Sequence, residues 1–126
     1  MSVVLDASAL LAYLQDEPGG ERVRAVIGSA VLSTVNWAEV IGKAREREID
    51  TEGLQEDLES LGLGFEPFST VHPKIAGHLK ETTRRLGLSL GDRACLSLGH
   101  ERGEVVYTAD RAWQGLDLDI RIVTIR

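Results

Sequence analysis

Asp6, Glu39, Asp92 and Asp110 are the residues of this chain best placed to do chemistry. Asp6 directly follows the run Val3-Val4-Leu5, and Asp110 follows Tyr107-Thr108. Glu39 falls in the first turns of the helix expected after Ala30-Val31-Leu32-Ser33, and Asp92 near the start of an apolar helix. In a parallel sheet the carboxyl ends of the strands share one edge, so acids distant in sequence converge there. Gathered carboxylates repel one another and hold their protons more tightly. A hard divalent cation relieves that conflict, and Mg²⁺ or Mn²⁺ suits an open set of oxygen donors. Such a centre assists hydrolysis of phosphate esters and diesters.

Three of the acids also have a local explanation. Asp92 completes a capping box with Ser89, Glu39 stands in the same relation to Asn36, and Asp110 suits the cap of the turn Arg111-Ala112-Trp113. Glu39 can also pair with Lys43 one helical turn on. Asp6 has no comparable local role. Four such placements in one small domain favour a shared site over four separate caps.

The elements that must position these acids are legible from apolar periodicity. Strands are expected at Val3–Leu5, Ala30–Ser33, Gly64–Phe68, Glu104–Thr108 and Ile120–Ile125. Between them lie helical stripes: Ala9–Leu14, then Val23, Val26 and Ile27, then Trp37, Val40, Ile41 and Ala44. Leu54, Leu58 and Leu61 form the next, followed by Val71, Ile75 and Leu79. Leu88–Leu98 is almost wholly small and apolar, which predicts a central, buried helix. No tight hairpin signal joins the strands. Strands alternating with helices predict an α/β fold, a central parallel sheet with helices on both faces.

Composition agrees with one globular domain over residues 1–126: hydrophobic residues are 43% and charged residues 27%. No apolar run approaches the ~20 residues of a membrane span. The opening Met1-Ser2-Val3-Val4-Leu5-Asp6 lacks a basic region ahead of its apolar run, so the cytoplasm is the expected compartment. The single cysteine, Cys95, excludes an internal disulfide and a multi-cysteine zinc site, and is read as a core residue. A net charge of −6 argues against gripping nucleic acid by bulk electrostatics. Local contacts remain open to Lys43, Arg45, Arg47, Lys80, Arg84 and Arg85, although a solvated face explains most of these. Arg93 and Arg111, beside two of the acids, are the preferred phosphate contacts. Trp37 falls on an apolar stripe and is assigned to the core, whereas Trp113 is left open between core and base stacking. The three histidines have no metal-ligand spacing, and Asp117 and Asp119 are read as turn residues.

The segments Val4-Leu5-Asp6-Ala7-Ser8-Ala9-Leu10, Asn36-Trp37-Ala38-Glu39-Val40, Gly91-Asp92-Arg93-Ala94 and Tyr107-Thr108-Ala109-Asp110-Arg111-Ala112-Trp113 resemble the motifs of PIN-domain ribonucleases, in the same order along essentially the whole chain. The VapC toxins of toxin–antitoxin pairs are the most similar members. The resemblance implies a three-layer α/β/α domain, a Mg²⁺- or Mn²⁺-dependent endoribonuclease, a cognate VapB-like antitoxin and a homodimer. It carries Asp6, Glu39 and Asp92 over as the core acids, with Asp110 as a more variable fourth. Ser8 and Thr108 match positions where the family often sets a hydroxyl near the acids, although local capping or hydrogen bonding is the stronger explanation for both.

Rival readings fare worse. A haloacid-dehalogenase-like phosphatase would have Asp-x-Asp where this chain has Asp6-Ala7-Ser8, and a receiver domain needs a late lysine, whereas none follows Lys80. A catalytically silent module, docking a basic partner through an acidic pocket, is the alternative of a different class. It gives no reason for four acids at strand ends.

Overall fold

The computed structural model describes residues 2–126. Its elements are β1 (Val3–Leu5), α1 (Ala7–Leu14), α2 (Gly20–Arg24), β2 (Ala30–Ser33), α3 (Thr34–Glu46), α4 (Leu54–Ser60), β3 (Gly64–Glu66), α5 (His72–Thr82), α6 (Leu90–Arg102), β4 (Val105–Thr108) and β5 (Ile122–Thr124). Short 3₁₀ turns occupy Ile27–Ser29, Arg84–Leu86 and Arg111–Gly115. The sheet order is β3-β2-β1-β4-β5, with every neighbouring pair parallel.

Period-2 alternation distributes the apolar strand residues between two cores. Val3, Leu5, Ala30 and Leu32 face one side, with Leu10, Val23, Trp37, Val40 and Leu58 of the helices covering them. Val4, Val31 and Val106 face the other, against Leu79 of α5, Cys95, Leu96 and Leu98 of α6, and Trp113. The result is the expected three-layer α/β/α arrangement. The predicted central helix is α6, whose Gly91 and Ala94 to Gly99 are all buried.

Several boundaries moved, for local reasons. The third strand ends at Glu66 because Pro67 follows, lacking an N–H and restricting the residue before it. The last strand spans only Ile122–Thr124, the length of its register with Val106–Thr108. The stripe at Val23, Val26 and Ile27 is split into the five-residue α2 and a 3₁₀ turn. α1 starts at Ala7 rather than Ala9, which leaves Asp6 at its N-cap.

From β1 the chain steps outward to β2 and β3, then returns to β4 on the opposite side of β1. The direction of winding therefore reverses at β1. In open parallel sheets ligands bind outside the carboxyl ends of the strands at that reversal. Asp6 is the residue immediately beyond β1.

Candidate active site

Asp6 is held by backbone and hydroxyls alike. Its N–H donates to Tyr107 O (2.9 Å), locking it between β1 and β4, and its carbonyl starts α1. Its side chain forgoes the N-cap bond to its own helix. Instead, Oδ2 accepts from Ser8 Oγ (2.7 Å) and from Thr108 Oγ1 (2.8 Å). Those hydroxyls are fixed in turn, Ser8 Oγ accepting from Ala109 N–H and Thr108 Oγ1 from Asp110 N–H. Asp6 is only 5% exposed. Burial pushes its carboxyl up to about 6; the Ser8 and Thr108 hydroxyls oppose the shift, while nearby Asp92 and Glu39 add to it.

Glu39 sits one turn into α3, whose N-cap is Ser33, accepting from Val35 N–H. Asn36 is therefore not a cap, contrary to the sequence reading, but a first-turn residue. Its fully buried amide donates to Glu39 Oε1 (2.9 Å) and to Gly91 O (2.9 Å). It thus ties the Glu39 carboxylate to the first turn of α6. Gly91 is required there, because a Cβ at that position would stand 2.3–2.4 Å from the Glu39 carboxylate. No ion pair joins Glu39 to Lys43 among the described residues.

Asp92 forms the full capping box with Ser89, and Asp110 Oδ1 accepts from Ala112 N–H (2.9 Å). Both local explanations are therefore correct as structure. Yet Asp6, Glu39, Asp92 and Asp110 all line one open cleft of about 300 Å³, together with Ser8, Ala7, Leu11 and Glu17. Capping and a place in the cleft are compatible, since a carboxylate has two oxygens.

The cations are distributed otherwise than the sequence suggested. Arg93 does not line the cleft; its guanidinium donates to Ala76 O (2.9 Å) and Leu88 O (3.4 Å), tying α6 to α5. Arg111 also does not line the cleft; its Nε donates to the main-chain oxygen of Arg126 (2.9 Å). Lys43, Arg47 and Arg126 line the cleft instead. Sequence reasoning had left the first two open as phosphate contacts but ranked them below Arg93 and Arg111, and had missed Arg126, Glu17 and the clamp role of Asn36. Asn36 was visible three residues before Glu39; nothing local marked Arg126. Trp113, left open, is buried at 1% exposure in the second core, and Trp37 is buried edge-on against Phe65. Cys95 is buried within α6, and burial pushes its thiol well above the usual range.

The donor set fits a hard cation: every acid offers oxygen only, and burial above all, with a smaller push from Asp92 and Glu39, makes the Asp6 carboxylate costly to ionise. Among the described residues, no three His, Cys, Asp or Glu side chains are already drawn together as a metal cage. The Asn36 amide, the Ser89 N–H and the Ala112 N–H each donate to one acid of the cleft wall, Glu39, Asp92 and Asp110 respectively.

Fold and site together define an α/β/α domain with a carboxylate cleft at the switch point of a parallel sheet. The chain belongs to the PIN domain family, whose model matches residues 3–117. Solved structures agree in fold. A toxin–antitoxin complex from Klebsiella pneumoniae aligns with TM-score 0.77 and 16% identity, over 99% of this chain and 98% of that one. DNA-bound VapBC from Salmonella typhimurium gives 0.74 and 20%, over 100% and 99%. FitAcB from Neisseria gonorrhoeae gives 0.72 and 19%, over 98% and 97%. No curated protein sequence matches the chain. No helix among the described residues is long and apolar enough to cross a membrane.

Proposed function

We propose that the chain is a VapC-type toxin, a Mg²⁺- or Mn²⁺-dependent endoribonuclease of the cytoplasm restrained by a cognate VapB-like antitoxin. The observation that carries this reading is Asp6, buried beyond the central strand, fixed through Oδ2 by two hydroxyls, and sharing a cleft with Glu39, Asp92 and Asp110. Membership of the PIN family and the likeness in fold to toxin–antitoxin complexes support it. RNA is the substrate and a homodimer the assembly that accompany the same reading.

In this mechanism Asp6, Glu39 and Asp92, with Asp110 as the fourth, would hold the cation. A cation held there would supply charge neutralisation for the phosphodiester and a more acidic water. The chain's own residues supply position. Ser8 and Thr108 saturate one oxygen of Asp6 and leave Oδ1 to the cleft. Asn36 sets the height of Glu39, and the Ser89 box aims the first turn of α6. With no cation, burial and mutual repulsion leave Asp6 partly protonated near neutrality, so cation binding and ionisation of Asp6 are coupled. An acid-lined cleft is most directly blocked by a basic side chain from the antitoxin, the arginine fork suiting a carboxylate best.

The test is RNA cleavage by purified protein. Cleavage is expected with Mg²⁺ or Mn²⁺, none in EDTA, and none by Asp6→Asn. Production of the chain alone is expected to arrest bacterial growth, and co-production of its genomic neighbour to restore it. Full activity in EDTA refutes the mechanism, and binding of Mn²⁺ without cleavage favours the silent, partner-docking module.

A further inference from the structure

The cleft has a second, basic wall. Glu39, Lys43 and Arg47 follow one another at four-residue spacing, a single stripe along α3 that starts at the acids and ends at the helix C-cap. Facing the end of that stripe is Arg126, just beyond β5. In a chain of net charge −6, the three cations of this cleft all lie along that path.

Their placement is built into the fold. Arg126 Nη1 donates to Pro18 O (3.0 Å) and reaches Glu17 Oε1 (3.5 Å), both in the turn between α1 and α2. Its own carbonyl receives Arg111 Nε, and the preceding Ile125 is buried, its N–H donating to Thr108 O (2.9 Å). The tail lies so close on that turn that a Cβ at Gly19, already at φ +91°, would stand 2.6 Å from Ile125 O. Arg47 is braced against the side chain of Gln15 at the end of α1. The turn after α1 therefore holds both guanidiniums at the mouth of the cleft.

We infer that Lys43, Arg47 and Arg126 form a phosphate-binding lip that takes the backbone of a single-stranded nucleic acid on one side of the bond presented to the acids. The inference rests on the nuclease reading above and says where its substrate strand runs: out of the cleft, between the last turn of α3 and the α1–α2 turn. Planar guanidiniums suit phosphate oxygens, and cations at the mouth of an acidic cleft offset the repulsion an incoming polyanion meets. Phosphate contacts position a strand without reading its sequence.

The experiment measures binding of a short fluorescein-labelled single-stranded RNA to the full chain by anisotropy, in EDTA, across about 50–300 mM KCl. For single strands each phosphate contact contributes roughly 0.7 to the salt slope, equivalent to roughly fivefold in affinity at 0.1 M salt. Arg47→Ala and Arg126→Ala are each expected to lose about that factor and that much slope. Arg45→Ala on α3 and Arg85→Ala, neither lining the cleft, are expected to match wild type. Arg126→Lys separates charge from architecture: it is expected to keep most of the slope although it loses the Nη1 contacts to Pro18 O and Glu17. In Mn²⁺, the lip variants are expected to raise KM and to leave kcat near wild type. Wild-type affinity and slope in both alanine variants overturn the lip, and so does equal loss in the two controls. If wild type cleaves while the lip variants bind normally, the nuclease reading stands and the lip falls. If binding depends on the lip but no cation elicits cleavage, the lip stands and the nuclease reading falls. Competition by an acidic peptide but not by RNA would assign the lip to a protein partner and overturn the inference.

Discussion

Asp6 is the residue at which stability and proposed activity conflict. Folded, it stays protonated up to about pH 6, whereas its ordinary value is 3.8. Between those values the folded state binds the extra proton, so stability falls as pH rises through that window and stays lower above it. At ~1.4 kcal/mol per unit, the full shift corresponds to about 3 kcal/mol as an upper limit. In the metal-free protein, Asp6→Asn is therefore expected to be up to that much more stable than wild type at pH 7, and to lose the advantage near pH 4. Urea unfolding at the two pH values measures this; parallel curves for both proteins would sink it. Asn36 behaves oppositely. Asn36→Ala strands Gly91 O without its partner and frees Glu39, costing about 1–3 kcal/mol. It is also expected to weaken Mn²⁺ binding, which electron paramagnetic resonance reads without any turnover.

At the scale of elements, the first turn of α6 does most to shape the site. Gly91 illustrates how fold and function separate there. Alanine gains less over glycine in this first turn than the ~1 kcal/mol of a helix interior, and its Cβ would push the Glu39 carboxylate off its hydrogen bond with Asn36. Gly91→Ala is thus expected to cost no more than about 1 kcal/mol of stability, the lost Asn36–Glu39 bond, while abolishing metal-dependent cleavage. A larger loss of stability would mean that the turn itself had moved. Ser89→Ala removes the cap and should cost about 1 kcal/mol, with Asp92 freed from the box. Thermal melts of the two variants, compared side by side, separate these effects.

For the whole molecule, the proposed cation should act as a ligand of the native state. Mn²⁺ at a hundredfold excess over its Kd is expected to add about 2.7 kcal/mol to unfolding, and Asp6→Asn to lose most of that gain. Calorimetry with and without EDTA decides it. Cys95, buried beneath both the acids and the sheet, is expected to resist thiol reagents until global unfolding. Labelling at the rate of an exposed thiol would show that α6 opens locally, and with it the cleft.

Much was legible in the sequence because it is local. Val3-Val4-Leu5 alternates between two cores as period-2 geometry demands, and Ser89–Asp92 caps as its spacing requires. The four acids were singled out from expected strand ends and helix starts, which needs only parallel topology and no knowledge of strand order, and all four line one cleft. What the tertiary structure decided is what depends on direction and on distant partners. Arg93 and Arg111 stand next to acids in sequence, but a helix and a 3₁₀ turn point their side chains to Ala76 O and Arg126 O instead. Arg126 reaches the cleft because β5 pairs with β4 in a register that lays the tail across Gly19, more than a hundred residues away in sequence. Trp113 is buried because the turn carrying it folds back over α6 and β4. Adjacency along the chain fixes which residues share an element; the direction each side chain takes is settled by packing among elements that have no sequence relation to one another.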